Sequence, residues 1–258
     1  MGTEGGGLQP GERREWDERG FFIRRGFADE SVTKAMLDEV VAVCRRAAAD
    51  EDVSPALVMP EARLQSRDAA PEDLVSKVFR LHRHDVFAEF AQGDAVLDLV
   101  CEVLGDEVDV FLSQFIFKSP GAYGQPWHQD SFYFPFTPGH QVGVWLAVTE
   151  ATLENGCLWV LPGTNTEPVH KHVRDSRPET QHAYVEIVDH DMTAAEPVLM
   201  DAGDLLVFDS HVMHRSSDNE SDGIRAAMVY HYSPAGTVDR TPPDRSINDW
   251  VPARRRAS

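Results

Sequence analysis

A histidine and an aspartate stand two residues apart in the segment PWHQDSFYFPF, at His128 and Asp130. Side chains at i and i+2 of an extended chain point to the same side, so these two would face one point. Imidazole nitrogen and carboxylate oxygen are ligands for divalent transition metals. Aromatic residues fill most of the stretch 132–136 that follows. We expect part of that stretch, Phe132 or Phe134, to wall a dry cavity beside a metal, although the histidine–aspartate pair alone is not specific.

A third ligand would have to come from another strand. His211 and His214 both follow the apolar run 204–208, and Arg225 comes eleven residues after the second of them. Two histidines and one carboxylate are the ligand pattern of non-heme Fe(II) oxygenases. The planar guanidinium of an arginine can hold a carboxylate through two parallel hydrogen bonds. The pattern therefore predicts a metal site beside a carboxylate-binding site.

The elements that would position these residues change in type near Gly105. Apolar residues spaced three and four apart predict helices from Ser31 to about Asp50 and from Asp94 to Gly105, and 71–90 is also predicted to be helical. Short runs rich in β-branched and aromatic residues follow, separated by turn signals, at 108–117, 142–148, 157–161, 204–208 and 225–232. This order predicts a mainly β protein, with a double-stranded β-helix (jelly roll) core and the N-terminal helices packed on one sheet. We expect a disordered N-terminus over 1–12, a single jelly-roll domain over 13–236 with an insertion at 165–196, and a C-terminal tail over 237–258.

Composition narrows the class of partner. The 258 residues are 42% hydrophobic and 26% charged, with a formal net charge of −19, which disfavours nucleic acid and anionic membranes as partners. Cys44, Cys101 and Cys157 have no metal-binding or disulfide spacing, and we see neither a secretory signal nor a long apolar run. We therefore expect a cytoplasmic protein that acts on a small molecule, with its oligomeric state open.

Three motifs together are more specific than composition. They are HQD followed by FYFPF, the block NGCLWVLPGT at 155–164, and a histidine with an arginine eleven residues later after NES. Over about residues 77–235 the chain resembles the phytanoyl-CoA dioxygenase family. The resemblance implies Fe(II) as the metal, with 2-oxoglutarate and O2 as co-substrates.

Carried over by position, the resemblance implies a role for each matching residue. It makes His128, Asp130 and His214 the iron ligands, and it makes Arg225, with Ser216 beside it, the site for the distal carboxylate of 2-oxoglutarate. The resemblance further implies that Lys77, Trp145 and Gln114 line the co-substrate site, with Lys118 as a rival for the lysine.

The function that the resemblance implies is hydroxylation of an unactivated C–H bond in a small organic substrate, lipid-like or a secondary metabolite, with release of succinate and CO2. Halogenating relatives replace the ligand carboxylate with a small residue, so Asp130 favours hydroxylation. Three alternatives stay open: a non-catalytic jelly-roll protein that binds metal or carboxylate, an acyl-CoA 2-hydroxylase, and a metal enzyme that needs no keto acid. The acidic composition leans away from a CoA ester.

The remaining histidines have less specific interpretations. We expect His82 and His84 on a helix surface. His170 and His172 are expected in a solvated loop, because nothing nearby in the sequence completes a ligand set. His182 and His190 are expected to face solvent, and the basic end RRR at 254–256 is expected to be solvated or to contact the acidic body or a second subunit.

Overall fold

The computed structural model describes residues 6–65, 68–177 and 184–256. Within them the helices are α1 (Pro10–Arg19), α2 (Glu30–Ala48), α3 (Asp85–Ala91) and α4 (Asp94–Leu104). The strands are β1 (Phe21–Arg24), β2 (Leu57–Pro60), β3 (Val75–Phe79), β4 (Val108–Lys118), β5 (Phe136–Thr137), β6 (Val142–Ala147), β7 (Leu158–Leu161), β8 (His172–Arg174), β9 (Val185–Ile187), β10 (Glu196–Val198), β11 (Leu205–Asp209), β12 (Met213–Ser216), β13 (Arg225–Pro234), β14 (Val238–Asp239) and β15 (Val251–Arg254).

Two antiparallel sheets form the core of the fold. The large sheet has the strand order β1-β11-β6-β13-β4-β3-β2, with β15 added beside β4, and the small sheet has the order β10-β7-β12. An isolated bridge between His128 and His214 continues the small sheet at β12. Trp145 of the large sheet and Val160 of the small one belong to the same apolar cluster, so the sheets pack face to face. The predicted jelly roll and its five predicted strands are confirmed.

Strand β13 shows how the pleat separates the helical side of the large sheet from its inner side. Met228, Tyr230 and Tyr232 pack in the cluster that contains α2, α3 and α4, whereas Ala227 and Val229 pack in the cluster between the sheets. The hydroxyls of Tyr230 and Tyr232 donate to carbonyl oxygens of α3, at 3.0 and 2.8 Å. Because alternate residues face opposite sides, the odd-numbered residues of β13 are directed toward the space between the sheets.

The prediction of a helix over 71–90 is wrong for most of that stretch. A short 3-10 turn at Pro71–Leu74 leads into β3, a second 3-10 turn covers Leu81–Arg83, and α-helix is found only from Asp85 onward. A short apolar run such as VSKVF fits a strand as well as a helix, and pairing with β4 decides for the strand. The left-handed backbone of Arg80, with φ of 64°, ends that strand.

The ends of the described chain are also more ordered than expected. Helix α1 begins at Pro10, so the expectation of disorder is wrong for positions 10–12, while residues 1–5 lie outside the described residues. Beyond residue 236, β14 pairs with β5 and β15 pairs with β4. The side chains of Arg254, Arg255 and Arg256 form ion pairs with Asp98, Asp109 and Asp106, respectively. Of the alternatives for the basic end, contact with the acidic body is what the structure shows. Among the described helices, none has the length and apolar character needed to cross a bilayer.

Candidate metal and carboxylate site

His128, Asp130 and His214 meet where the small sheet ends. Their potential ligand atoms all lie within 4.8 Å of one another. Asp130 Oδ1 lies 3.6 Å from Nε2 of His128 and 3.7 Å from Nε2 of His214. His128 and His214 are cross-strand neighbours, and the backbone N–H of each donates to the carbonyl oxygen of the other at 2.9 Å. Asp130, two residues after His128, starts a 3-10 turn. The side chains of His128 and Asp130 therefore converge as expected, although only His128 lies in extended backbone.

The hydrogen bonds at Nδ1 of both histidines decide which ring nitrogen carries the proton. His128 Nδ1 lies 2.8 Å from the carbonyl oxygen of Pro126, and His214 Nδ1 lies 3.0 Å from that of Val212. A carbonyl oxygen only accepts, so each Nδ1 carries the proton and each Nε2 presents a lone pair. Burial, and then the neighbouring His128, lower the pKa of His214 to about 4, so its imidazole is neutral near pH 7.

The carboxylate is ionised for a different reason. Burial alone would raise the pKa of Asp130, but the histidines around it, His214 first, outweigh burial and hold that pKa below its ordinary value. His231 is one of them, with Nδ1 3.8 Å from Asp130 Oδ2. Its Nε2 accepts from the amide of Gln114 at 3.1 Å, which places its proton on Nδ1, toward the carboxylate. Near pH 7 the Asp130 carboxylate is thus ionised and the His214 imidazole is neutral, the protonation states in which these two groups ligate metals.

Arg225 is buried in the same cavity and only 1% exposed. Nη2 donates to the carbonyl oxygen of Gly156 at 3.0 Å, whereas Nε and Nη1 are buried and have no partner in the described part of the chain. Burial lowers the pKa of Arg225 to about 10, which still leaves it charged near pH 7. The guanidinium carbon lies 5.6 Å from the centre of the Trp145 ring. No carboxylate within the described residues neutralises this charge, so an anion in the cavity would be attracted to it.

Two lysines of the same cavity, the buried Lys118 and the half-buried Lys77, differ in their hydrogen bonds. Lys118 Nζ donates to Ser216 Oγ at 2.9 Å and to the carbonyl oxygens of Ser217 and Tyr123 at 2.6 and 3.2 Å. Lys77 Nζ has a hydrogen bond to Gln125 Oε1, at 3.0 Å. Burial lowers the pKa of both lysines, and that of Lys77 falls to about 8. An ammonium has three N–H groups; those of Lys118 are all engaged.

The cavity that contains these groups has a volume of about 350 Å³. The structure brings to it every residue to which the family resemblance gave a role; the lining includes Lys77, Gln114, Lys118, His128, Asp130, Trp145, His214, Ser216 and Arg225. Of the aromatic stretch, Tyr133 and Phe134 line the cavity. Phe132 is 40% exposed and stacks on His172 instead.

Several lining residues were not anticipated from the sequence. The amide of Gln125 donates to Nε2 of His128 at 3.0 Å, and His231 stands behind Asp130. Position in the register could have suggested His231, which is six residues after Arg225 and therefore on the same face of a strand. The segment 241–248 also lines the cavity, through Thr241, Arg245, Ile247 and Asn248. No local signal marks this segment, because contacts distant in sequence bring it to the site, among them the pairing of β15 with β4 and the hydrogen bond from Arg80 Nε to the carbonyl oxygen of Ile247.

Several of the expectations about other histidines are wrong. His82 is fully buried and bonded to Ser113 Oγ and to the carbonyl oxygen of Asp249, at 2.8 and 2.7 Å. His170 has the ligand partners that the sequence did not reveal, since its ring and that of His190 converge on Glu167. His190 is correspondingly only partly exposed.

The other histidines have their own places. His84 precedes α3 as its N-cap and is half-buried, not on a helix surface. His172 is half-buried, stacks on Phe132 and accepts from the backbone N–H of Gln129. His211 lies outside the metal triad and stacks on His140. His182 lies outside the described residues.

The sequence matches a known family. A family model described as phytanoyl-CoA dioxygenase (PhyH) matches residues 16–227. The rat phytanoyl-CoA dioxygenase domain-containing protein 1 is 36% identical over 168 residues, which are 61% of this chain and 57% of the rat protein. The rice phytanoyl-CoA dioxygenase 1 is 32% identical over 174 residues, which are 66% of this chain and 59% of the rice protein. The match thus spans less than two thirds of the length of these relatives.

Solved structures share the fold over nearly the whole chain. The non-heme monooxygenase ThoJ, in its apo form, has a TM-score of 0.72, with 21% identity, 95% of this chain covered and 84% of its own. EvdO2 from Micromonospora carbonacea var. aurantiaca, complexed with 2-oxoglutarate, has a TM-score of 0.63, with 25% identity, 95% of this chain covered and 96% of its own.

Proposed function

Because the chain belongs to the phytanoyl-CoA dioxygenase family, we propose that it is an Fe(II)- and 2-oxoglutarate-dependent oxygenase that hydroxylates a C–H bond of a small organic substrate. Arg225 carries this proposal. A guanidinium that is 1% exposed, with two nitrogens lacking partners, shares one cavity with two imidazoles and a carboxylate. In a protein that binds only a metal, the buried charge of Arg225 would have no role. In an enzyme that uses a keto acid, this charge would bind the second carboxylate.

The residues present fit the iron. His128 and His214 offer Nε2 lone pairs and Asp130 offers an ionised oxygen, all from one side. Two imidazoles and one carboxylate on one face leave coordination positions open to the cavity, the arrangement that suits non-heme Fe(II). The hydrogen bonds on Nδ1 of both histidines hold the rings in the ligating orientation.

The residues around Arg225 fit 2-oxoglutarate, which EvdO2 binds in its crystal structure. The second N–H of Nη2, together with an N–H of Nη1 or of Nε, would hold the distal carboxylate of 2-oxoglutarate in a two-pronged bond. Of the two lysines we assign Lys77 to the co-substrate, because all three N–H groups of Lys118 are already engaged. Lys118 instead fixes Ser216 beside the arginine. The face of Trp145 supports the guanidinium.

With metal and keto acid bound, the iron would supply O2 activation coupled to release of succinate and CO2, and transfer of a hydroxyl to the substrate. The protein would contribute orientation and exclusion of water. Phe79, Leu112 and Phe134 give the cavity an apolar wall, and Tyr133 closes it beside His128 at a ring distance of 5.9 Å. Arg245 and Asn248 add polar groups on the side of the C-terminal segment. We infer a lipid-like or secondary-metabolite substrate with an apolar body and a polar or anionic group.

The test is an anaerobic titration of the protein with Fe(II) and 2-oxoglutarate, followed through the weak visible charge-transfer band of the chelate. O2 is then admitted and succinate is measured. We expect the band and slow succinate release in the wild type, and neither in Asp130→Ala or His214→Ala. The matched control is His140→Ala, which removes an exposed histidine that pairs with Asp209 outside the metal triad.

Metal binding without any effect of 2-oxoglutarate on the spectrum would overturn the proposal in favour of a non-catalytic metal-binding protein. Turnover of a substrate without 2-oxoglutarate would favour an enzyme that needs no keto acid. A substrate panel would contain free fatty acids, their CoA esters and polycyclic natural products. Stimulation of succinate release by the CoA esters alone would identify the acyl-CoA 2-hydroxylase.

A further inference from the structure

A second group of metal-ligating side chains lies outside the cavity, in the segment after β7. Glu167 Oε2 is 2.7 Å from His170 Nε2 and 3.1 Å from His190 Nε2. Atoms of these three side chains all lie within 4.8 Å of one another. Each side chain is between 21% and 34% exposed, so the group is half-buried and remains open to solvent. We refer to Glu167, His170 and His190 as the outer triad.

The two acceptors around the ring of His190 favour a bound cation at this place. Its Nδ1 lies 3.1 Å from the carbonyl oxygen of Asp191 and its Nε2 lies 3.1 Å from Glu167 Oε2. Both partners only accept, yet a neutral imidazole has one N–H. When the one N–H is on Nδ1 and donates to the carbonyl oxygen of Asp191, the lone pair of Nε2 faces Glu167 Oε2, and a cation held by both would complete this arrangement. His170 presents its own Nε2 to the same carboxylate oxygen.

We propose that the outer triad is a second metal site, which binds a borderline divalent cation of the Zn²⁺ type independently of the triad in the cavity. Two imidazole nitrogens and one carboxylate oxygen are the protein ligands of a common open zinc site, with water in the remaining position. The partial exposure of all three residues gives the ion a path of entry from solvent.

The outer triad is tied to the inner one through Gln129, the residue between His128 and Asp130. Gln129 Oε1 accepts from the backbone N–H of His170 at 2.8 Å, and Gln129 Nε2 donates to the carbonyl oxygen of Pro168 at 3.1 Å. A cation bound to Glu167 and His170 would fix the positions of these two residues, and with them the loop whose backbone at Pro168 and His170 contacts Gln129. The second site therefore holds the segment 167–172 against the turn that carries two ligands of the inner triad.

The first test counts metal ions. Wild type and variants are dialysed against micromolar Zn²⁺ and the bound metal is measured by mass spectrometry. We expect two equivalents in wild type, one in Glu167→Gln and in His170→Gln/His190→Gln, and one in His214→Ala, whose outer triad is intact. His140→Gln serves as the matched control and keeps two, because it changes a histidine–carboxylate pair that has no third ligand among the described residues.

A wild type that binds a single equivalent, or a His170→Gln/His190→Gln variant that retains two, would overturn the proposal and leave the outer triad as a charged hydrogen-bonded group. The second test keeps this decision independent of the inner site. In His214→Ala, Zn²⁺ should slow amide hydrogen exchange across residues 165–175, and the effect should vanish when Glu167→Gln is added. Circular dichroism establishes that each variant is folded, and Zn²⁺ protection that survives Glu167→Gln would contradict the proposal.

Discussion

The Nη2 atom of Arg225 donates to the carbonyl oxygen of Gly156 at 3.0 Å, and this is the hydrogen bond that fixes the guanidinium among the described residues. The bond comes from a backbone turn, so it orients the side chain without neutralising it. Gly156 has φ of +84°, and a Cβ there would lie 2.5 Å from the carbonyl oxygen of Ser217 and 2.7 Å from Lys118 Cδ. The anion site thus depends on a backbone conformation that glycine alone adopts easily.

We predict that Arg225→Ala weakens 2-oxoglutarate binding by about 100-fold, since loss of a buried charge partner costs about 3 kcal/mol. Arg225→Lys should recover only part of this, because an ammonium cannot form the two-pronged bond. The measurement is the anaerobic titration of the chelate band, with Fe(II) affinity as the control that should remain unchanged. Equal 2-oxoglutarate affinity in wild type and Arg225→Ala would contradict the assignment.

Gly156→Ala should impair the same step by displacing the turn. The left-handed backbone alone costs an alanine about 1–2 kcal/mol, and the contact with Ser217 adds to it. We expect a lower free energy of unfolding in urea together with weaker 2-oxoglutarate binding. Gly139→Ala, which meets no atom within 4 Å, is the matched control. A Gly156→Ala variant as stable as this control would show that the turn tolerates a side chain.

Substitutions of the two lysines should have different effects. Lys77→Met is predicted to raise the apparent Kd for 2-oxoglutarate by about 10-fold, the value of one charge-assisted hydrogen bond, at little cost in stability. Lys118→Met strands three acceptors, Ser216 Oγ and two carbonyl oxygens, and should mainly lower the free energy of unfolding. Titration of the chelate band and urea unfolding, applied to both variants, check this. The reverse pattern would assign the co-substrate to Lys118.

Gly143→Ala should weaken metal binding through a neighbouring ring. A Cβ on Gly143 would meet the ring of Phe208, its cross-strand partner, at 2.3 Å, and that ring packs edge-on against His214 with centroids 5.1 Å apart. Overpacking costs about 1–3 kcal/mol, and the shift of Phe208 is transmitted to a ligand. Co²⁺ titration should show reduced affinity in Gly143→Ala. Phe208→Leu, added to it, makes room and should restore affinity; failure to do so would argue against the ring as the cause.

Stability should fall in mild acid because of His82. Burial lowers the pKa of this histidine, so the folded state resists protonation while the unfolded chain binds a proton near pH 6.5. The unfolded state then holds more protons, and the free energy of unfolding falls as pH drops below about 6.5 toward the folded pKa. His82→Gln should flatten this dependence. Urea unfolding between pH 8 and pH 5 measures it, and identical slopes in the two proteins would contradict the prediction.

The sequence was most informative where one local pattern decides a structure. The strands after Gly105 could be predicted because β-branched residues and turn signals alternate there. The metal triad was implied by the resemblance of three motifs to a known family, whereas ligand type and spacing left His211 and His214 as alternatives. The segment 75–79 was misjudged because its apolar run is too short to distinguish helix from strand, and a partner strand decides. Tertiary pairing of this kind is invisible in a local pattern.

The same limit explains what was missed around the site. Thr241, Arg245 and Asn248 line the cavity because the chain returns along β4, an event set by contacts distant in sequence. The outer triad escaped notice because His190 lies twenty residues beyond His170 and is brought back by the hairpin of β8 and β9. Spacing arguments find ligands on one strand, not ligands joined by a hairpin.

The segment 241–248 is synthesised after nearly all of the strands, and this order affects folding during translation. Strand β1 pairs with β11, β13 lies between β4 and β6, and the cavity wall includes residues beyond 240. Contacts between residues so far apart in sequence slow folding, because the entropy cost of closing a long loop comes before the stabilising contacts form. During synthesis the wall of the cavity therefore stays incomplete until those residues leave the ribosome. Chaperone binding to the nascent chain should persist to that point.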